Sequence, residues 1–131
     1  MRPLKRILHV DDEADIRVVT ALALEALGGY SVESCASGVQ ALAAIEAFAP
    51  DLIILDVMMP GMDGPATLLK LRKLHSQAQV PVVFMTAKVQ SQEIVQYLSL
   101  GASGVITKPF DPQTLSHEIE AIWTQVDAAS S

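Results

Sequence analysis

Residues 52–64 read LIILDVMMPGMDG, a run of four aliphatic residues that ends on Asp56 and a Pro-Gly turn. An uninterrupted aliphatic run of this length is typical of a strand that is buried on both faces of a parallel sheet. Asn, Ser or Gly would end such a strand equally well. The reason for a carboxylate at this point therefore depends on which other polar residues end strands in the same sheet.

The rest of the chain alternates short apolar runs with longer stretches of helical period. Strands are predicted at residues 5–10, 30–35, 51–55, 81–85 and 103–107, and helices at residues 12–27, 38–48, 64–74, 91–100 and 111–126. A βα unit that repeats five times predicts an α/β fold, with one parallel sheet covered by helices on both faces.

Residues at the helix ends support these boundaries. Gly28-Gly29 marks the end of the first helix, Ser37 is expected to cap the second, and Asp111 with Pro112 is expected to open the last. In the first helix, one apolar face is predicted, formed by Ile16, Val19, Ala23 and Leu27.

Length and composition predict one globular domain over residues 1–131, with a core at about residues 5–126 and a frayed tail at 127–131. The chain is 50% hydrophobic and 18% charged, and its net charge of -6 argues against direct binding of nucleic acid. Its apolar runs are shorter than the roughly 20 residues that span a bilayer, which argues against membrane insertion. The single cysteine, Cys35, is expected to be a small buried hydrophobe and suits the reducing cytoplasm.

Four of the predicted strands end on residues that can do chemistry: Asp11-Asp12, Asp56, Thr86 and Lys108. The second strand ends at Cys35-Ala36 and is expected to be peripheral. Ligands of open parallel sheets bind beyond the carboxyl ends of the strands, so the four sets are predicted to share one edge.

Each of these residues alone has an ordinary explanation as a helix cap, a turn residue or a surface charge. Together, the three carboxylates would repel one another unless a cation neutralised them, and hard oxygen ligands suit Mg²⁺. Lys108 then pairs with an anion at the same place. Asp56 can act as a nucleophile towards phosphorus, while Thr86 donates a hydrogen bond to a phosphoryl oxygen.

At these positions the sequence resembles the receiver domain of two-component response regulators. The resemblance rests on HVDDE, ILDVMMPGMDG, MTA and GASGVITKPF, in that order, and covers about residues 5–126. It implies a flavodoxin-like (βα)5 three-layer sandwich with strand order 2-1-3-4-5. It also implies a phosphorylation-dependent signalling switch rather than an enzyme, although the domain assists its own phosphorylation and dephosphorylation.

The resemblance assigns a role to each site residue. Asp56 would accept the phosphoryl group from a sensor histidine kinase or a phosphotransfer protein. Asp12 and Asp56 would bind Mg²⁺ directly, together with the backbone oxygen of Met58, and Asp11 would act through water. Lys108 would pair with the phosphoryl group, and Thr86 would move to hydrogen-bond it. The KPF motif implies a cis peptide bond between Lys108 and Pro109.

The resemblance leaves the downstream protein unnamed and allows a weak homodimer. Met1 and the short tail favour a stand-alone regulator, with a fragment of a longer hybrid protein as the alternative. Val105 stands where many receivers carry Tyr or Phe, so the usual inward swing of an aromatic ring is not expected here. Met58 and Lys88 occupy variable positions that influence the loss of the phosphoryl group.

Two other functions are weaker. A phosphatase of the haloacid dehalogenase type needs a second aspartate two residues after the nucleophile, where this chain has Met58. An unphosphorylated interaction module on the same fold would normally have lost an acidic residue or the lysine, and all of them are present. Of the histidines, His9 is predicted to be a core residue whose nitrogens find partners, His75 to lie at a helix end, and His117 to lie on a helix surface.

Overall fold

The computed structural model describes residues 2–74 and 79–130, without the side chains of residues 129 and 130. The strands are β1 (Arg6–Val10), β2 (Ser31–Cys35), β3 (Leu52–Asp56), β4 (Val82–Thr86) and β5 (Gly104–Thr107). The helices are α1 (Ala14–Leu22), which continues as a π-helical turn (Ala23–Leu27), α2 (Gly38–Phe48), α3 (Gly64–Leu71), α4 (Ser91–Ser99) and α5 (Leu115–Ser130). The predicted α/β fold is confirmed.

The five strands form one sheet in the order β2-β1-β3-β4-β5, and all of the strand pairs are parallel. This confirms the flavodoxin-like order and the peripheral position of the second strand. Every residue of β3 and β4 is buried, as the uninterrupted apolar runs predict for strands covered on both faces. Since all five strands point the same way, their carboxyl ends lie at one edge of the sheet.

Two apolar clusters cover the two faces of the sheet. One packs Leu8, Leu55 and Phe84 against α2, α3 and α4. The other packs Ile7 and Ile54 against the π-helical turn and α5. Neighbouring residues of one strand belong to opposite clusters because side chains alternate across a strand. These clusters hold the sheet rigid and so fix the positions of the residues that end its strands.

The first helix differs from the prediction at its start and on its buried face. It begins at Ala14 rather than residue 12, and its buried residues, with those of the π-helical turn, are Thr20, Ala23 and Leu24. Val19 and Leu27 are 41% and 59% exposed. The prediction of this face was wrong for two reasons. It considered only apolar residues and so omitted Thr20, and the wider π-helical turn changes which of the following residues are buried.

The helix ends follow the predicted signals in part. The Ser37 side chain accepts a hydrogen bond from the Gln40 amide at 3.1 Å and caps α2 as predicted. Gly29, with φ of +72°, follows the π-helical turn in the left-handed region that favours glycine. The third helix ends at Leu71, earlier than residue 74, and the predicted position of His75 lies outside the described residues.

The last helix starts later and runs further than predicted. Residues 112–114 form a turn, and the Asp111 side chain accepts a hydrogen bond from the Gln113 amide at 2.9 Å before α5 begins. The prediction of a frayed tail was wrong for residues 127–130, which belong to α5. The Arg2 amide donates to the Asp127 carboxylate at 3.1 Å, and Trp123 Nε1 donates to the Arg2 carbonyl at 2.8 Å. The amino-terminal segment therefore holds this end of the helix. None of the described helices is long and apolar enough to cross a membrane.

Candidate functional site

The carboxylates of Asp11, Asp12 and Asp56 meet at the carboxyl edge of the sheet, where one oxygen from each lies within 4.8 Å of the others. Asp56 is the last residue of β3, and Asp11 follows β1, the neighbouring strand. The Asp11 amide donates to the Cys35 carbonyl at 3.0 Å, which continues the pairing of β1 with β2 and fixes the backbone at this point. Asp11 has no exposed surface, Asp56 is 3% exposed and Asp12 is exposed. The structure thus brings together the three predicted carboxylates.

Lys108 reaches the same place from the end of β5. Its Nζ lies 2.8 Å from Asp11 Oδ2 and 3.4 Å from Asp56 Oδ1. The Lys108 amide donates to the Thr86 carbonyl at 2.8 Å, and the Lys108-Pro109 peptide bond is cis, as predicted. The contact with Asp11 is an ion pair without hydrogen-bond geometry, since Asp11 Oδ2 has no hydrogen-bond partner among the described residues.

Charge and burial oppose each other in this cluster. Burial, followed by the negative charge of Asp11, raises the pKa of Asp56 from 3.8 to about 6, and Lys108 offsets these effects only in part. Burial would lower the pKa of Lys108, but its ion pairs with Asp11 and Asp56 outweigh this and raise it. One ammonium therefore does not neutralise the cluster. A group of carboxylate oxygens with excess negative charge, one of them buried without a hydrogen bond, fits a small hard cation such as Mg²⁺.

Thr86, the last residue of β4, lies at the same edge on the strand next to Asp56. Asp56 pairs with Met85 in the register of the sheet, so Thr86 is one position beyond it. The threonine is 1% exposed, and its Oγ1 accepts a hydrogen bond from the Lys88 amide at 3.1 Å. The hydroxyl oxygen is therefore bonded to the loop that follows β4.

The loop after Asp56 forms the wall of an open cavity of about 330 Å³. Met58, 61% exposed, lines this cavity with Met59, Pro60 and neighbouring residues. The predicted role of the Met58 backbone oxygen stays a prediction. Gly64 closes the loop, and a Cβ atom there would lie 2.6 Å from the Asp56 carbonyl oxygen. The second glycine of the GMDG sequence was a signal for this close approach, which the sequence reasoning missed.

Glu13 is a second residue that the sequence reasoning missed. Its Oε1 lies 3.5 Å from Lys108 Nζ, which makes it a third carboxylate in contact with that ammonium. The only signal in the sequence was the third acidic residue of the DDE run.

His9 lies in β1 with no exposed surface, as predicted for a core histidine. Burial lowers its pKa to about 4, so the imidazole is neutral at pH 7. The expectation that its nitrogens find partners was wrong, because neither has a hydrogen-bond partner among the described residues. In the sheet, His9 lies between Ser34 of β2 and Ile54 of β3. Cys35 is buried, as predicted, and His117 is exposed.

Comparison with known proteins agrees with this geometry. Residues 7–120 match the response regulator receiver domain. The chain belongs to this family and is a receiver domain of the two-component response regulators.

Solved structures support the same conclusion. The chemotaxis response regulator CheY4 of Vibrio cholerae is 31% identical, with a TM-score of 0.84 over 92% of this chain and 99% of that one. A CheY-like receiver domain protein from Methanospirillum hungatei is 34% identical, with a TM-score of 0.80 over 96% of this chain and 99% of that one.

Two curated relatives are longer regulators. The phosphate regulon transcriptional regulatory protein PhoB of Pseudomonas aeruginosa is 40% identical over 118 residues, which are 90% of this chain and 51% of PhoB. The probable transcriptional regulator ycf27 of Porphyridium aerugineum is 39% identical over 127 residues, which are 97% of this chain and 51% of that protein. The chain thus spans about half the length of these relatives.

Proposed function

We propose that Asp56 accepts a phosphoryl group and that this modification switches the affinity of the domain for a downstream protein. The observation that carries the proposal is the surroundings of Asp56. It is a buried carboxylate at the end of a rigid strand, 3.4 Å from an ammonium and within 4.8 Å of two further carboxylates. A carboxylate held in this way can meet phosphorus in line, and its environment can stabilise the charge that develops.

Asp11, Asp12 and Asp56 are proposed to hold Mg²⁺ together with the backbone oxygen of Met58. Bound there, Mg²⁺ would offset the excess negative charge of the carboxylates and of an incoming phosphoryl group. Asp12 is the exposed member of the group and Asp11 the buried one. The acidic set therefore reaches from the interior of the protein to solvent, which gives a cation a path of entry.

The chain's own residues then carry the transfer. An Asp56 carboxylate oxygen forms a bond to phosphorus while the phosphorus–nitrogen bond of a phosphohistidine breaks and the leaving imidazole takes up a proton. Lys108 turns from the carboxylates of Asp11 and Asp56 to a phosphoryl oxygen. Thr86 exchanges its hydrogen bond with the Lys88 amide for one to the phosphoryl group. The same residues assist the later attack of water, so the domain promotes its own dephosphorylation.

A sensor histidine kinase or a phosphotransfer protein is the proposed donor, since receiver domains work with such partners in two-component systems. The downstream partner is proposed to be a protein. With a net charge of -6, this chain is a poor direct ligand for nucleic acid. The names of the longer relatives concern transcriptional regulation, and any such role belongs to a whole regulator rather than to this domain.

Intact-mass measurement after incubation with acetyl phosphate tests the proposal. One added phosphoryl group is expected in the presence of Mg²⁺ and none in EDTA. The Asp56→Asn variant should stay unlabelled. Glu33→Gln, which changes an exposed acidic residue on the edge strand β2, should be labelled like the wild type. Labelling of Asp56→Asn at the wild-type rate would place the acceptor elsewhere.

A further inference from the structure

Glu13 is in contact with the site but is not one of the carboxylates that can hold the metal. Its backbone is fixed, because its amide donates to Asp11 Oδ1 at 2.9 Å and its carbonyl accepts from the Arg17 amide at 3.1 Å. It is the N-cap residue of α1, yet its side chain makes no capping hydrogen bond. The side chain instead points to Lys108, at 3.5 Å, and is 62% exposed. Helix capping therefore does not account for this carboxylate.

The three carboxylates around Lys108 differ in exposure. Asp11 and Asp56 are buried and belong to the group whose oxygens lie within 4.8 Å of one another, and Glu13 is outside that group. Among the residues that the structure describes, Lys108 is the cation paired with Glu13, so a cation held by the group would leave the charge of Glu13 to Lys108 alone. Once Lys108 turns to a phosphoryl oxygen, the negative charge of Glu13 remains at the mouth of the site, the solvent-exposed side at which Glu13 contacts Lys108.

A negative charge at the mouth acts on every anion that approaches Asp56. The repulsion grows with the charge of the incoming donor and is weakened by salt. A protein donor can offset it with contacts elsewhere, and α1, which begins directly after Glu13, has exposed apolar side chains, with Val18 66% and Leu22 65% exposed. A small phosphodonor has no such contacts.

We propose that Glu13 is a specificity-determining residue that disfavours small, highly charged phosphodonors at Asp56. The inference rests on the proposed function, since it presumes that Asp56 is the acceptor. Neutralising Glu13 should speed phosphorylation by dianionic acetyl phosphate about two- to fivefold at low salt. Phosphoramidate carries one fewer negative charge at neutral pH, so the same substitution should increase the rate of phosphorylation by phosphoramidate less.

Glu25→Gln provides a matched control. It removes the same charge from an exposed position of the same helical segment, about 18 Å further along at 1.5 Å per residue. Rates of Asp56 phosphorylation are measured by intact mass for wild type, Glu13→Gln and Glu25→Gln, with both donors, at low and high salt. The Mg²⁺ affinity of each variant is measured by isothermal titration, so that all rates are compared at saturation.

The proposal is supported if Glu13→Gln increases the rate of Asp56 phosphorylation by acetyl phosphate more than the rate with phosphoramidate. High salt should remove this difference between the donors, and Glu25→Gln should leave both rates unchanged. Equal acceleration with both donors, or an unchanged rate, would overturn it and would make Glu13 a simple partner of Lys108. An equal effect of Glu25→Gln would overturn it in favour of overall net charge. Failure of the wild type to become labelled at Asp56 would instead contradict the proposed function, which separates the two ideas.

Discussion

Lys108 and Asp11 form an ion pair of 2.8 Å in which the carboxylate has no exposed surface and the lysine side chain is 15% exposed. Removing a buried carboxylate from water is expensive unless a cation remains beside it. Lys108 therefore has two roles in the domain. It compensates Asp11 when no metal is bound, and it is the proposed partner of the phosphoryl group after transfer.

Lys108→Ala should lower the free energy of unfolding on the order of 3 kcal/mol in EDTA, because it leaves the buried Asp11 unpaired. Saturating Mg²⁺ should recover most of this loss, since a bound cation would compensate the same carboxylate. Urea unfolding with and without the metal measures both effects. Lys5→Ala, at an exposed position, is the control and should change little. An unaffected Lys108→Ala variant in EDTA would show that Asp11 does not need the lysine.

Asp56→Asn should stabilise the metal-free protein in a pH-dependent way. The folded pKa of Asp56 is raised from 3.8 to about 6, so the folded state binds this proton more tightly than the unfolded state does. The ionised carboxylate therefore costs stability above pH 6, and the cost disappears as the pH falls towards 4. The gain from Asp56→Asn should reach at most about 3 kcal/mol above pH 6 and fade below it.

Urea unfolding in EDTA across this pH range measures the gain, and Glu33→Gln serves as the control. A gain that is the same at pH 4 and pH 8 would contradict the burial of an ionised carboxylate as its cause.

Neutralising Asp12 should not destabilise the metal-free domain. The first helix begins at Ala14, Glu13 is its N-cap residue, and Asp12 is exposed. Asp12→Ala therefore removes repulsion within the acidic group and no helix cap. The contrasting variant is Asp63→Ala, because Asp63 Oδ1 accepts from the Ala66 amide at 2.9 Å and caps α3. The free energy of unfolding of Asp63→Ala should be about 1 kcal/mol lower than that of the wild type. A melting temperature of Asp12→Ala several degrees below that of the wild type would give Asp12 a structural role.

Phosphorylation of Asp56 should displace the loop and helix at residues 87–100. The Lys88 amide is bonded to Thr86 Oγ1 at 3.1 Å, so a threonine that turns to a phosphoryl oxygen releases the loop before α4. Val105 is half-buried, pairs with Phe84 in the sheet and packs against the cluster that contains Tyr97. A stiff β-branched side chain cannot fill space that the threonine vacates. The loop and α4 must therefore move, with little rotamer change at Val105.

Backbone amide shifts with beryllofluoride and Mg²⁺, compared with the metal-free protein, measure this response. Changes should extend from Asp56 through residues 87–100 to β5 and α5, and Asp56→Asn should lack them. Chemical-shift changes confined to the acidic site would show that phosphorylation does not alter the structure of residues 87–100.

The site residues could be predicted because each one ends a strand of strong apolar character. Parallel strands place their carboxyl ends together, so the alternation alone predicts that Asp11, Asp56 and Lys108 share an edge. The strand order came from the resemblance to a family, because periodicity does not determine which strands are neighbours. The DDE run did not reveal the contact of Glu13 with Lys108, since those residues are 95 positions apart in the chain.

The sequence by itself determined the number and type of secondary-structure elements, the parallel sheet and the edge of the sheet at which the site residues lie. Those features follow from local periodicity and from the residues that end each strand. Only the tertiary structure decided that Thr20 rather than Val19 is buried, and that α5 continues to Ser130 with Asp127 bonded to the Arg2 amide. It also decided that burial raises the pKa of Asp56. These outcomes depend on contacts and solvent exclusion between distant parts of the chain, which no local pattern contains.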